Sequence, residues 1–288
     1  MWGTTWTVSE IGAARMPAFE MASIRQLTAG SIFVAFFLFF KKAQLPSLKQ
    51  FRWLTIMGIL MFVSANGLST RSIQFIPAGL SALIGALYPL CVVIIEKVFF
   101  KNRKLTALTF AGLLLAIAGI AIVFYEDAFY SAGPSFLLGV FLSAVAMLSW
   151  SIGTVFLTRN KMNINPYYSV GWQMLIAGAV LFILSFCTQP HIPFKDIPPA
   201  AWFSISYLVV AGSLISFSAF LYSMKQLSPA LASLYAYINP LVAMVAGYFI
   251  VNEKLTMNIL WGAIITLTGV FLVNYSIRRA AQITEAEI

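Results

Sequence analysis

The chain has 288 residues, 60% hydrophobic and only 9% charged, with a formal net charge of +9. Soluble domains carry roughly 25% charged residues, so this composition excludes an ordinary water-soluble fold and makes the bilayer the natural solvent. One histidine, His191, and two cysteines in apolar runs, Cys91 and Cys187, leave no basis for a disulfide framework, a metal site or histidine catalysis.

Apolar runs long enough to cross a hydrocarbon core of about 30 Å define the elements in chain order. The first, Trp2 to Ala14, is short, rising only about 20 Å as helix. Full-length runs follow near 18–40, 53–73, 78–99, 105–125, 135–158, 167–187, 201–224, 229–251 and 257–277. The expected fold is an all-α membrane protein, a bundle of ten transmembrane helices with the first shortened or completed upstream. No cleaved leader is expected. Thr188 to Pro199, with four prolines, reads as a stiff connector, and Glu126 to Pro134 as a link between halves. Ala280 to Ile288 reads as a frayed polar tail.

Charge orients the bundle. With a cytoplasmic N-terminus and ten spans, thirteen lysines and arginines fall inside: Lys41, Lys42, Lys49, Arg52, Lys97, Lys101, Arg103, Lys104, Arg159, Lys161, Lys225, Arg278 and Arg279. Four fall outside: Arg15, Arg71, Lys195 and Lys254. This bias places the C-terminus in the cytoplasm. The basic clusters thus have a topological explanation, and no nucleic-acid partner is expected.

The chain also repeats itself. Lys104-Leu105-Thr106, Gly112, Gly119, Val123 and Tyr125 recur 150 residues later as Lys254-Leu255-Thr256, Gly262, Gly269, Val273 and Tyr275. At a shift of 148, Trp2 matches Trp150, Arg25 matches Gln173, and Ala29-Gly30 matches Ala177-Gly178. Residues 135–149 have no counterpart before Trp2. The copies are read as 1–126 and 135–278, five spans each. An odd count starts the second copy from the opposite side. Inverted repeats around a midplane site are the architecture of secondary transporters.

Polar residues inside spans are the candidate site, because burying them unpaired is costly. Asn66 and Ser69, three apart on one helical face with Thr70 beside them, read as cavity wall or as interhelical bonds. Pro89 and Pro240 each remove a backbone hydrogen bond mid-span. Such broken helices line transporter sites or simply kink for packing. Tyr88 and Asn239 flank the prolines, and Tyr235 lies one turn before Asn239. Trp2 and Trp150 read as an aromatic wall or as interfacial anchors, with Ser216, Phe217, Ser218 and Phe220 continuing the lining. Arg25 needs a partner, for which Glu10, Glu20 and a substrate carboxylate are candidates. Gly112, Ala116 and Gly119, recurring as Gly262, Thr266 and Gly269, suit close helix contact or a homodimer seam.

The opening Trp2-Gly3-Thr4, Arg25, Tyr88-Pro89, and the run Asn239-Pro240, Gly247, Asn252-Glu253-Lys254-Leu255-Thr256 resemble the EamA-type branch of the drug/metabolite transporter superfamily. The resemblance covers nearly the whole chain. The first copy departs from it, with Asn102-Arg103-Lys104 where the family often keeps glutamate. The resemblance implies export or exchange of small metabolites, often amino acids, through a central cavity facing alternately in and out of a cytoplasmic (inner) membrane. A small-molecule substrate, the lipid bilayer and a monomer or homodimer are the expected partners, with no cofactor. An intramembrane enzyme is not expected, since no HExxH, in-span aspartate pair or in-span histidine is present. A non-transporting sensor or scaffold is the alternative. Glu10 alone among the acids is expected to lie buried in the membrane, so proton coupling would fall to it; facilitated diffusion or exchange is read on equal terms with proton antiport.

Overall fold

The computed structural model describes residues 1–100, 106–130, 134–159, 162–226 and 235–286. Among them every regular element is a helix. In chain order these are α1 (Trp2–Ala13), α2 (Ala18–Phe40), α3 (Leu48–Ser72), α4 (Ala78–Gly85), α5 (Tyr88–Phe100), α6 (Ala107–Tyr130), α7 (Phe136–Arg159) and α8 (Pro166–Thr188). Helix α9 runs from Pro199–Tyr207 through Leu208–Ile215 into Ser216–Gln226, followed by α10 (Tyr235–Val251) and α11 (Met257–Ala286). Among the described residues, six stretches are long and apolar enough to cross a membrane: Ala18–Phe40, Leu48–Ser72, Phe136–Leu157, Pro166–Thr188, Pro199–Ser223 and Met257–Ser276. Shorter apolar helices occupy Ala78–Val92, Ala107–Val123 and Ile238–Val251. Large apolar side chains such as Phe39, Leu114, Phe141, Phe249 and Trp261 point outward, a coat suited to lipid rather than water.

The runs read from the sequence hold helices, with three departures. The run at 78–99 is two helices, broken at Ala86 and Leu87. Pro89 therefore sits in the first turn of α5, where a missing N–H costs nothing. Helix α6 continues to Tyr130, into the expected link. Helix α11 continues to Ala286, so most of the expected tail is helical; Ala280, Ala281 and Gln282 are strong helix formers. Lys101, Asn102, Arg103, Lys104, Leu105 and Lys161 lie outside the described residues, as do 131–133 of the expected link and 229–234 of the expected run 229–251.

Two helices contain π-helical stretches, Ile59–Gly67 in α3 and Leu208–Ile215 in α9. The ends of these stretches, Gly67 and Ile215, are 148 residues apart, which is one of the shifts in the sequence repeat. A π turn carries one extra residue and redirects the carbonyls around it.

Glycine sets two seams. Helix α2 packs along α8 and α6 along α11. A Cβ on Gly30 would stand 2.8 Å from the carbonyl oxygen of Gly171, and one on Gly178 would meet Leu27. In the second seam, a Cβ on Gly112 would stand 2.7 Å from the carbonyl oxygen of Gly269, and one on Gly119 would strike Thr266. These glycines let backbones touch. The small-residue faces of α6 and α11 thus meet each other within one chain. Thr106 and Thr109 close the same seam through Ser276, at 2.5 and 2.9 Å.

Backbone cannot move aside as a side-chain tip can. Gly269→Ala is therefore expected to destabilise the protein by about 1–3 kcal/mol. Gly85→Ala, whose new Cβ would lie 3.6 Å from Trp6, should leave stability nearly unchanged. Apparent melting temperatures in detergent check both.

Candidate substrate cavity

Helix α1 is the centre of the site. It packs on α10, α9 and α4. Gly3 lets it approach the carbonyl of Asn239, and Thr7 Oγ1 donates to the Ala243 carbonyl at 3.4 Å. Its C-terminal carbonyls are satisfied by Gln74 Nε2, 2.6 Å from Ala13 O, and by Arg15 Nη1, 2.6 Å from Ile11 O. A twelve-residue helix is thus held at both ends by tertiary contacts.

Beside α1 lies a cavity of about 160 Å³. Asn66, Ser69, Tyr88, Trp150 and Asn239, all in the expected cavity set, border it. Ser216 does not: its Oγ donates to the Ala211 carbonyl at 2.6 Å, within its own helix. The π stretch ends one residue before Ser216, so faces counted at 3.6 residues per turn are displaced there. The side chain of Tyr235 lies outside the described residues. Of the two helix-break prolines, Pro89 follows the break between α4 and α5, whereas Pro240 sits within the continuous helix α10.

The walls have distinct chemistry. One is aromatic. Trp2 meets Trp150 edge-on at 6.2 Å between ring centroids, and meets Phe217 and Phe220 at 5.2 and 5.3 Å. The repeat-related tryptophans therefore touch. Trp2 Nε1 donates to the Gly212 carbonyl at 3.0 Å, in the π stretch of α9. Other lining residues are polar. Asn66 Oδ1 accepts from Gln26 Nε2 at 3.0 Å. Ser143, on the lining, joins Ser81 at 2.9 Å, and Ser81 joins Ser72 at 3.0 Å. This hydroxyl chain ties α7, α4 and α3 together.

Arg25 borders the cavity although only 5% exposed. Its Nε donates to Ser213 Oγ at 2.9 Å. Neither acid considered for it is brought to it. Glu20 Oε1 lies 3.1 Å from His191 Nδ1. Glu10 faces the carboxyl of Glu253. Glu253 itself follows Asn252, whose φ of 57° ends α10, and its Oε1 accepts from the Gly79 amide at 3.4 Å, at the start of α4. A second space of about 440 Å³ opens there, lined mainly by apolar side chains beside Glu253 and Lys254.

The sequence reading missed Thr5, Trp6, Ser9, Ser143 and Met147, which also line the cavity. Helical spacing from Trp2 and from Trp150 reaches all five. No local signal pointed to Gln26 or Ser213, whose partners lie on other helices.

A helical bundle coated with apolar side chains, enclosing a polar and aromatic cavity, defines a multi-pass membrane protein with the form of a small-molecule carrier. The EamA-like transporter family model matches residues 1–125 and again 137–275. The chain belongs to this family. It is 32% identical over 259 residues to the uncharacterized inner membrane transporter YedA of Escherichia coli K12, covering 89% of this chain and 81% of that protein. It is 24% identical to the uncharacterized transporter YoaV of Bacillus subtilis, over 97% of this chain and 94% of that one. Protein PecM of Dickeya dadantii is 23% identical, with 95% and 88% covered. A solved crystal structure aligns over 96% of this chain and 94% of its own, with TM-score 0.67 and 18% identity, which shows a shared fold.

The Gln26–Asn66 bond gives a test of the polar wall. Gln26 is fully buried, so Asn66→Leu alone strands its amide. The double change Gln26→Leu with Asn66→Leu should cost less than the sum of the singles, with a coupling of about 1 kcal/mol. A double-mutant cycle on unfolding free energy measures it.

Proposed function

We propose that this protein is a secondary transporter of the inner membrane that moves small amphipathic metabolites, amino acids or related compounds, outward by alternating access. Ten spans form two inverted five-helix copies, residues 1–126 and 135–278, with the C-terminus in the cytoplasm. The observation that carries the reading is the cavity itself. Trp2 and Trp150 come from matching positions of the two copies and close one wall together, while Asn66 and Asn239 supply polar groups from either half. Family membership supports transport, and the positive-inside pattern supports the orientation.

The interlocked seams of α2 with α8 and α6 with α11 suit rigid units that rock around the cavity. No covalent step is required of the site residues. Their work is to exchange the hydration of a solute for aromatic contact and hydrogen bonds.

Counterflow in proteoliposomes preloaded with pooled amino acids and related metabolites tests this. Uptake of a labelled solute by the wild-type protein is the expected result. Asn239→Ala should lower that uptake about tenfold at equal folded abundance, the scale of one lost hydrogen bond to a bound polar group. No uptake of any solute by folded protein would overturn the transport reading in favour of a sensor or scaffold.

A further inference from the structure

We infer that Arg25 is the docking point for a carboxylate, so that the cavity takes amphipathic organic anions in preference to zwitterions and cations. This rests on the transport reading above but departs from its amino-acid option: among small amphipathic metabolites it favours the organic anions.

The first observation is the charge balance. Arg25 is the one charged side chain among the described residues bordering the cavity. Among the described acids, Glu10 faces Glu253, Glu20 is taken by His191 and by the Ile192 amide, and Asp196 is exposed in a connector. Among the described residues, therefore, the positive charge has no carboxylate of its own. A guanidinium removed from water needs an anion or a full set of acceptors, and here one neutral hydroxyl answers it.

The second observation is the way the guanidinium is held. Ser213, fully buried, accepts from Nε, leaving the Nη groups for another partner. A Cβ on Gly212 would stand 3.0 Å from Arg25 Nη2, so glycine at this position leaves room for the group. The Gly212 carbonyl is in turn fixed by Trp2 Nε1. Arg25 is thus oriented by the same π stretch that anchors the aromatic wall. A guanidinium fork matches a carboxylate through two parallel hydrogen bonds. An apolar or aromatic body attached to that carboxylate would lie against Trp2, Trp150 and Phe217.

The third observation separates anions from zwitterions. An ammonium group would need an anionic acceptor, yet no carboxylate borders the cavity among the described residues; Asn66 Oδ1 is already engaged by Gln26, and what remains is neutral, the Asn239 amide and the lining hydroxyls. Tryptophan faces attract cations, but placing an ammonium beside Arg25 would set two like charges in one low-dielectric space.

Three probes with one apolar body test the inference: 3-phenylpropanoate, phenylalanine and 2-phenylethylamine, with neutral 3-phenylpropanamide as reference. Binding to purified protein is followed by tryptophan fluorescence, and each probe is then offered as a counterflow competitor. The anion should bind tightest, by about tenfold over the zwitterion, and the amine weakest. Arg25→Gln should weaken the anion about tenfold or more and leave the amide unchanged, and Ser213→Ala should weaken the anion to a smaller extent. If Arg25→Gln does not fold, the order of the probes on wild-type protein decides. Equal or tighter binding of phenylalanine or the amine, or an anion affinity indifferent to Arg25→Gln, would overturn the proposal. Counterflow of the amide alone would overturn it while leaving the transport reading intact. Anion binding lost in Arg25→Gln, with no counterflow of any solute, would support the Arg25 site and remove transport instead.

Discussion

Inside a hydrocarbon slab, no water is present to accept or donate a hydrogen bond, and the rest of this structure follows from that constraint. Most hydroxyls in the spans meet it locally, by returning a bond to their own helix. Thr55 donates to Phe51 O, Thr154 to Trp150 O, Thr266 to Gly262 O and Thr268 to Ile264 O. Such residues need no neighbour and carry no information about tertiary structure. A smaller set reaches across helices instead: Trp2 to Gly212, Arg25 to Ser213, Gln26 to Asn66, and the chain through Ser72, Ser81 and Ser143. These bonds lie in and beside one cavity, whereas other cross-helix bonds, Ser23 to the Gly178 carbonyl and Thr106 and Thr109 with Ser276, close the glycine seams.

The helices divide by how they meet. Along α2 with α8 and α6 with α11, glycines bring backbone against backbone. Contacts of that kind are dense and fix the register, since sliding would drive a side chain into a carbonyl. Around the cavity the helices are irregular. Helices α3 and α9 carry π stretches, and the polypeptide breaks between α4 and α5. A helix with an irregular turn can present a carbonyl sideways, as Gly212 does to Trp2. Regular seams and irregular helices are complementary: the first hold the bundle, and the second add displaced carbonyls and side chains to a cavity that regular helices also line.

Hydropathy and repeat spacing made most of the helix positions legible, because the bilayer demands length and apolarity from every span. In-span polarity also located Asn66, Ser69, Tyr88, Trp150 and Asn239 on the cavity. Ser216 was misplaced, since a π turn shifts the helical register and a single sequence carries no mark of one. The partner of Arg25 was illegible for another reason. Opposite charge suggested Glu10 or Glu20, but pairing depends on which helices adjoin, and α2 adjoins α9 at Ser213. Trp2 shows the limit of reading a helix end as an interface. Its repeat partner Trp150 lies deep, and the two rings meet.

The motif that carried the family resemblance has a structural role that also explains its place in the chain. Asn252 takes a left-handed conformation at the end of α10, as asparagine tolerates. The Glu253 amide bonds back to the Gly247 carbonyl at 3.1 Å. The Glu253 side chain lies over Gly247, where a Cβ would collide with it. Its carboxyl then meets the first turn of α4, whose free amides favour negative charge. Helix α4 supplies Ala82 and Gly85 to the cavity, so a loop in the second copy positions a wall in the first. The copies are nevertheless not equivalent in chemistry. Gln173, which matches Arg25, bonds to Ser169 within its own helix and brings no charge to the cavity. The two segments that match the family model therefore differ here: among the described residues, the cavity's one charge comes from the first. The cavity is thus electrostatically lopsided, with the one charge among its described lining residues standing on α2.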